Sequence, residues 1–272
     1  MYGVVAVAAV AVVVYFLIDL FWVPGAVDCS GVSVPRAVIV DQLSAAHGNE
    51  TLIDNVTALL SDAGFEVDCY SREAVTVDFY RNLATRCYSL ILLRVHSASF
   101  NPDQPVFDLF SSEQYDQGKY RGEQWDDRLR QCAYDTDEDP YEPGDPTYFG
   151  ITHKFVRSEK SMRGPFNNTI VLMMGCEGMK YEDMAEAFIE RGASVYIAWD
   201  KLVTVGHTDR ASQTLLEYLV GDGLAVEEAV VQTNRDVGTD RYGGTLQYYP
   251  AVSGNYTVAD ILSDLEFDAV GK

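Results

Sequence analysis

The chain has 272 residues, enough for one large domain with an appended segment or for two small domains. Its 47% hydrophobic content supports a sizeable core, and 41 acidic residues against 20 basic ones leave a net charge of -21. A chain this acidic lacks the basic footprint that phosphate binding needs, which excludes nucleic acid as an expected partner. The same charge favours solubility and cationic substrates, or is simply a solvated acidic surface.

Residues 1–23 differ in kind from the rest. Val4 to Val23 is a 20-residue run with one charge, Asp19. At 1.5 Å per helical residue that length crosses a hydrocarbon core. Tyr15, Phe16, Phe21 and Trp22 gather towards its far end, where interfacial aromatics belong. A cleaved signal peptide fits less well, because no Lys or Arg precedes the run and no A-x-A site follows it. The segment is therefore expected to be one N-terminal transmembrane helix, an uncleaved anchor. Four of the eight asparagines, Asn49, Asn55, Asn167 and Asn255, lie in N-x-Ser/Thr sequons, which points to an extracytoplasmic glycoprotein. Without Cys176, four cysteines remain (Cys29, Cys69, Cys87 and Cys132), enough for two disulfides; five reduced thiols are the alternative. No C-x-x-C occurs, so a structural zinc site is not expected.

Residues 24–35 read as a linker. Beyond them strands and helices alternate. Ala37–Val40 reads as a strand, 49–63 as a helix stopped by Gly64, 65–70 as a strand, 77–84 as a helix and 88–95 as a strand. Residues 101–168 are rich in Asp, Glu, Pro, Gly and Tyr and read as an inserted loop region with a hairpin near 148–156. Within it, the acidic run 135–139 only superficially resembles a calcium loop, because Pro140 stands where an EF-hand needs Gly; calcium is at most a surface ligand, and no other metal or cofactor is expected. The alternation resumes with a strand at 169–174, a helix at 181–191, a strand at 193–199, helices at 209–220 and 226–236, and a short strand at 245–249. Residues 251–272 form an acidic C-terminal tail with a helical stretch at 258–265. This pattern predicts an α/β domain over 36–250, with a mainly parallel sheet covered by helices on both faces.

In open α/β sheets, ligands bind beyond the carboxyl ends of the strands. Two predicted strands end in reactive side chains. The strand 88–95 runs into His96-Ser97, and the strand 169–174 runs into Gly175-Cys176-Glu177-Gly178. If the strands are parallel neighbours, imidazole and thiol emerge on one edge, which is the minimum for nucleophilic acyl transfer. Free backbone N–H groups and a helix N-terminus after Cys176 are expected to lower the thiol pKa below about 8.5. His207, before a predicted helix, is the competing base.

A strand ending in His followed by a small residue, then a strand ending in small-Cys-x-Gly, resembles the caspase-like cysteine peptidases, the group of caspases, legumains, gingipains, separases and CHAT-domain proteins. The later stretch, with a helix after Cys176, then Arg191-Gly-Ala-Ser-Val195 opening a strand, is most similar to the gingipain, legumain and CHAT members. The resemblance covers residues 36–250 outside the insertion. It implies a caspase-like fold and a cysteine endopeptidase with a peptide or protein substrate. It further implies Cys176 as nucleophile, His96 as general base and acid, and an oxyanion hole from the backbone N–H groups of Ser97 and Cys176. Two departures stand out: Ser97 replaces the usual Gly, and Met174 replaces the polar residue often found two positions before the cysteine. Met174, Trp199 and Asp200 are the candidates for a substrate pocket, and Asp200 there would favour Lys or Arg. The alternative is a catalytically inactive caspase-like domain that binds or scaffolds.

Overall fold

A computed structural model describes residues 29, 32–101, 104–134 and 141–263. The apolar run 4–23 and the acidic residues 135–140 lie outside the described residues. Among the described residues no helix is long and apolar enough to cross a membrane.

The central sheet has six strands. β1 (Arg36–Asp41), β2 (Glu66–Ser71) and β3 (Leu90–Arg94) come first. After an intervening second sheet, the chain adds β8 (Thr169–Met173), β9 (Ala193–Trp199) and β10 (Leu246–Tyr249). Their order is β2-β1-β3-β8-β9-β10. The first five are parallel and β10 is antiparallel to β9. The expectation of a mainly parallel, helix-flanked sheet therefore holds.

The apolar runs become strands because both faces are covered, so every side chain of β3 and β8 is buried. Alternate residues serve opposite layers. Val38, Val40, Ile91, Leu93, Val171, Met173 and Tyr196 face one core. Ala37, Ile39, Leu90, Leu92, Ile170, Leu172 and Trp199 face the other, with helices α1 (Glu50–Asp62), α6 (Val205–Leu216) and α7 (Val226–Val237). Fully burying one such aliphatic side chain stabilises by roughly 1.5–3 kcal/mol. The Asn49 side chain caps α1 by accepting from the Leu52 N–H at 3.1 Å, and Gly64, at φ 91°, lets the chain turn back. The residues of the expected tail contribute too: Val258 and Ile261 are buried in the second core.

The stretch 101–168 corrects the sequence reading. It is not a loop region: four strands, β4 (Ser97–Asn101), β5 (Gln104–Gln114), β6 (Leu129–Ala133) and β7 (Thr147–Thr152), form an antiparallel sheet in the order β4-β5-β7-β6. Its Phe107, Leu109, Leu129, Phe149 and Ile151 pack on the first core, with α2 (Val77–Arg81), α4 (His153–Arg157) and α5 (Asp183–Glu190) on the same side. A short α3 (Arg121–Trp125) lies between β5 and β6. Tyr148 belongs to a strand followed by a helix, not to a hairpin at 148–156.

Of the cysteines, Cys29 and Cys87 form a disulfide, and Cys69, Cys132 and Cys176 are free thiols. One disulfide therefore stands where the sequence allowed two or none.

Candidate active site

β3 and β8 are parallel neighbours, paired from Leu90–Ile170 to Leu93–Met173, and the Met174 N–H extends the ladder to the Leu93 carbonyl at 2.9 Å. Val95-His96 and Gly175-Cys176 thus leave the same sheet edge side by side. The Ser97 hydroxyl ties the two exits together by donating to the Cys176 carbonyl at 2.7 Å. Gly175 is required here: a Cβ at that position would lie 2.4 Å from both Ser97 Oγ and the Val95 carbonyl oxygen. Gly178 is squeezed against Ala198 in the same way, at 2.7 Å. Glu177 takes the left-handed conformation, φ 58°, and donates its N–H to the Lys201 carbonyl. Among the described residues the Cys176 N–H has no acceptor, as an oxyanion donor requires.

The electrostatics of the thiol differ from expectation. α5 begins at Asp183, so no helix N-terminus abuts Cys176. The sulfur sits against Val203, whose N–H and carbonyl oxygen are both 3.4 Å away. Burial pushes the thiol pKa above its ordinary value; the Val203 contact opposes this, and the carboxylates of Glu177 and Asp240 add to the rise. The thiol is neutral at pH 7, and the expected depressed pKa is corrected accordingly.

His96 is held by its surroundings rather than by its ring nitrogens. Its N–H donates to Gln42 Oε1 at 2.9 Å, and its carbonyl accepts from Phe110 N–H. The ring lies 4.6 Å from Tyr134 and 6.1 Å from both Phe110 and His47, centroid to centroid. Gln42 also donates to the Tyr134 hydroxyl, linking the backbone clamp to the stacked ring. Burial, with the nearby His47 and Arg94 charges, pushes the imidazole down to about 4. It is a free base at pH 7. No hydrogen bond joins His96 to Cys176: the imidazole is packed with Tyr134, Phe110 and His47, and the thiol with Val203.

Beneath His96 lies a buried ion network that sequence reading missed. Arg94, 1% exposed, donates to Asp209 through Nε at 2.7 Å and a terminal nitrogen at 2.9 Å, to Asp41 at 2.6 Å, and to the His47 carbonyl at 2.8 Å. Asn49 adds a hydrogen bond to Asp209 at 2.9 Å. These residues join the ends of β1 and β3 to the starts of α1 and α6, at the point where β1 has β2 on one side and β3 on the other. The signal in the sequence was a lone Arg within Leu90-Ile-Leu-Leu-Arg-Val95: a charge on a strand buried on both faces must find a partner.

Of the three expected pocket residues, two are buried and Asp200 is half-buried. Met174 is fully buried, and Trp199, 1% exposed, donates its indole N–H to Thr208 at 2.9 Å. Asp200 accepts from the Thr245 N–H and hydroxyl at 2.7 and 3.1 Å, which fixes the start of β10. His207 is buried beside Trp199, its Nε2 without a partner among the described residues, and no hydrogen bond links it to Cys176. Among the described residues no group of three His, Cys, Asp or Glu is placed to hold a metal ion. No family model matches the chain. No curated protein matches it in sequence.

Proposed function

We propose that the chain is a caspase-like cysteine endopeptidase, carried on an N-terminal membrane helix with its globular domain outside the cytoplasm. The observation that carries the proposal is the shared exit of His96 and Cys176 from neighbouring parallel strands, fastened by the Ser97 hydroxyl. The neutral states of both groups select the form of the chemistry. The thiol of Cys176 attacks a peptide carbonyl as its proton passes to the free-base imidazole of His96. The oxyanion is held by the unpaired Cys176 N–H. The imidazolium then protonates the departing amine. Water, deprotonated by His96, cleaves the thioester and regenerates the thiol. The Cys29–Cys87 disulfide supports an oxidising compartment, and Asn55, Asn167 and Asn255 are exposed for glycosylation. Asn49 is committed to its helix cap and to Asp209.

A second reading, a binding or scaffold domain without activity, is favoured by the missing His96–Cys176 hydrogen bond and the raised thiol pKa. Cleavage of a peptide library by the full-length protein in detergent separates the two. The peptidase reading expects turnover that Cys176→Ala abolishes and His96→Ala lowers by at least about 100-fold, the contribution of a general base. Turnover unaffected by Cys176→Ala overturns Cys176 as the nucleophile, and no turnover with any peptide leaves the scaffold.

A further inference from the structure

The two ends of the central sheet differ in chemistry. At the amino end, Arg36 opens β1, Arg86 and Cys87 precede β3, and Arg191 precedes β9; Arg163 lies in the segment leading to β8. Hydrogen bonds knit this edge together. Arg36 donates to the Arg86 carbonyl at 2.8 Å, the Arg163 N–H to the Arg81 carbonyl at 2.8 Å, and the Phe166 N–H to the Arg191 carbonyl at 2.7 Å. Arg36 is paired with Asp68 and Arg191 with Glu159. Arg86 donates to the Tyr70 hydroxyl and stacks over the Tyr70 and Phe79 rings, 4.9 and 5.8 Å from their centroids, whereas the exposed Arg163 donates to Asn82 and has no carboxylate partner among the described residues. Val34, 39% exposed, lies two residues before Arg36 at the start of β1. The carboxyl end carries Glu177, Asp200 and Asp240 against Lys180 and Lys201.

The disulfide places the chain's N-terminal approach at the amino end. Cys29 and Cys87 have Cα atoms 5.7 Å apart. Only residues 24–29 separate the apolar run from that bond, a reach of about 20 Å at full extension. The five residues of β3 then separate the two edges by about 16 Å, at about 3.3 Å per strand residue.

We propose that the amino edge of the central sheet, with Val34 and Arg163, is the face the domain turns towards an anionic bilayer, leaving the edge with His96 and Cys176 facing away from it. This rests on the reading of residues 4–23 as a membrane anchor, and not on peptidase activity. A short, covalently tethered approach limits which face can reach the headgroups. The exposed Arg163 suits a negative surface, and the carboxylates of the opposite edge are repelled by one.

The test uses the full-length protein in vesicles of 70% phosphatidylcholine and 30% phosphatidylserine, with a nitroxide on the headgroup of a trace lipid. A fluorophore is placed on Asn167→Cys or on Lys201→Cys in a Cys69→Ser, Cys176→Ser background; both positions are exposed, one at each edge. Quenching at 167 is expected to exceed that at 201 at least threefold. Arg163→Glu should reduce the difference on anionic vesicles and leave it unchanged on pure phosphatidylcholine. Removing the tether with Cys29→Ser and Cys87→Ser should bring the two positions within a factor of about 1.5. Equal quenching in the tethered protein, or stronger quenching at 201, overturns the proposed orientation even if the protein floats with the vesicles. Failure to float overturns the anchor reading and this inference together.

Discussion

Arg94 is the side chain on which most of the candidate site's scaffold converges. Its guanidinium is nearly inaccessible and is shared by two carboxylates and a carbonyl. Removing one member of a buried pair leaves an uncompensated charge, which costs about 3–5 kcal/mol. Arg94→Met should lower the unfolding free energy by that amount in urea titrations, well above the effect of replacing an exposed Arg such as Arg72. At His96 the sign of the pH dependence follows from burial. Its folded pKa, about 4, lies below the ordinary value near 6.5, so the unfolded chain takes up the proton first as pH falls. The stability contributed by this group is fully present above pH 6.5 and is lost as pH drops from 6.5 towards 4. His153 and His207, also lowered by burial, add in the same sense. His96→Gln should flatten the slope of stability against pH in that window by at most about 1.4 kcal/mol per pH unit. At Cys176 the raised thiol pKa predicts alkylation by iodoacetamide that is still rising with pH at about 8.5, the free-cysteine value; a plateau beginning below that pH would instead mean an ion pair with His96.

At the scale of elements, the turn that carries Cys176 is the most tightly specified segment. Gly175→Ala drives a methyl group into Ser97 Oγ and the Val95 carbonyl, and the backbone atom cannot yield as a side-chain end would. Overpacking of this kind costs roughly 1–3 kcal/mol. It should also separate the two strand exits, so the variant should lose thermal stability and the Ser97 tie together. The parallel strands were legible in the sequence because burial on both faces makes them continuous apolar runs, as in Leu90-Ile-Leu-Leu and Thr169-Ile-Val-Leu-Met. The second sheet was not. Its long strand β5 carries Asp108, Ser111, Ser112 and Glu113, and its register is set by pairing with β4 and β7 rather than by local pattern. Composition alone made 101–168 look like a loop. The strand-end positions of His96 and Cys176 were legible for the same reason as the strands. Their protonation was not, because it depends on burial and on contacts such as His47 and Val203, which the fold brings from elsewhere in the chain.

Across the whole molecule, the six-stranded sheet separates its features by direction: His96 and Cys176 at the carboxyl edge, the disulfide at the amino edge. The bond between Cys29 and Cys87 closes a loop of 58 residues. On the chain-entropy account, losing it costs about 4 kcal/mol, so Cys87→Ser should lower the melting temperature under oxidising conditions and reducing agent should do the same to the wild type. The second sheet, packed through Phe107, Phe149 and Ile151, extends the first core and supplies the aromatic wall around His96. The most direct test of the central claim is peptide mapping of the full-length protein after exposure to peptidyl acyloxymethyl ketones of varied sequence. A catalytic Cys176 predicts a single adduct on that residue, formed at pH 7 and lost in His96→Ala, while the more exposed Cys69 stays unmodified. Modification of Cys69 in preference to Cys176, or labelling of Cys176 that His96→Ala leaves unchanged, would contradict a working His96–Cys176 pair.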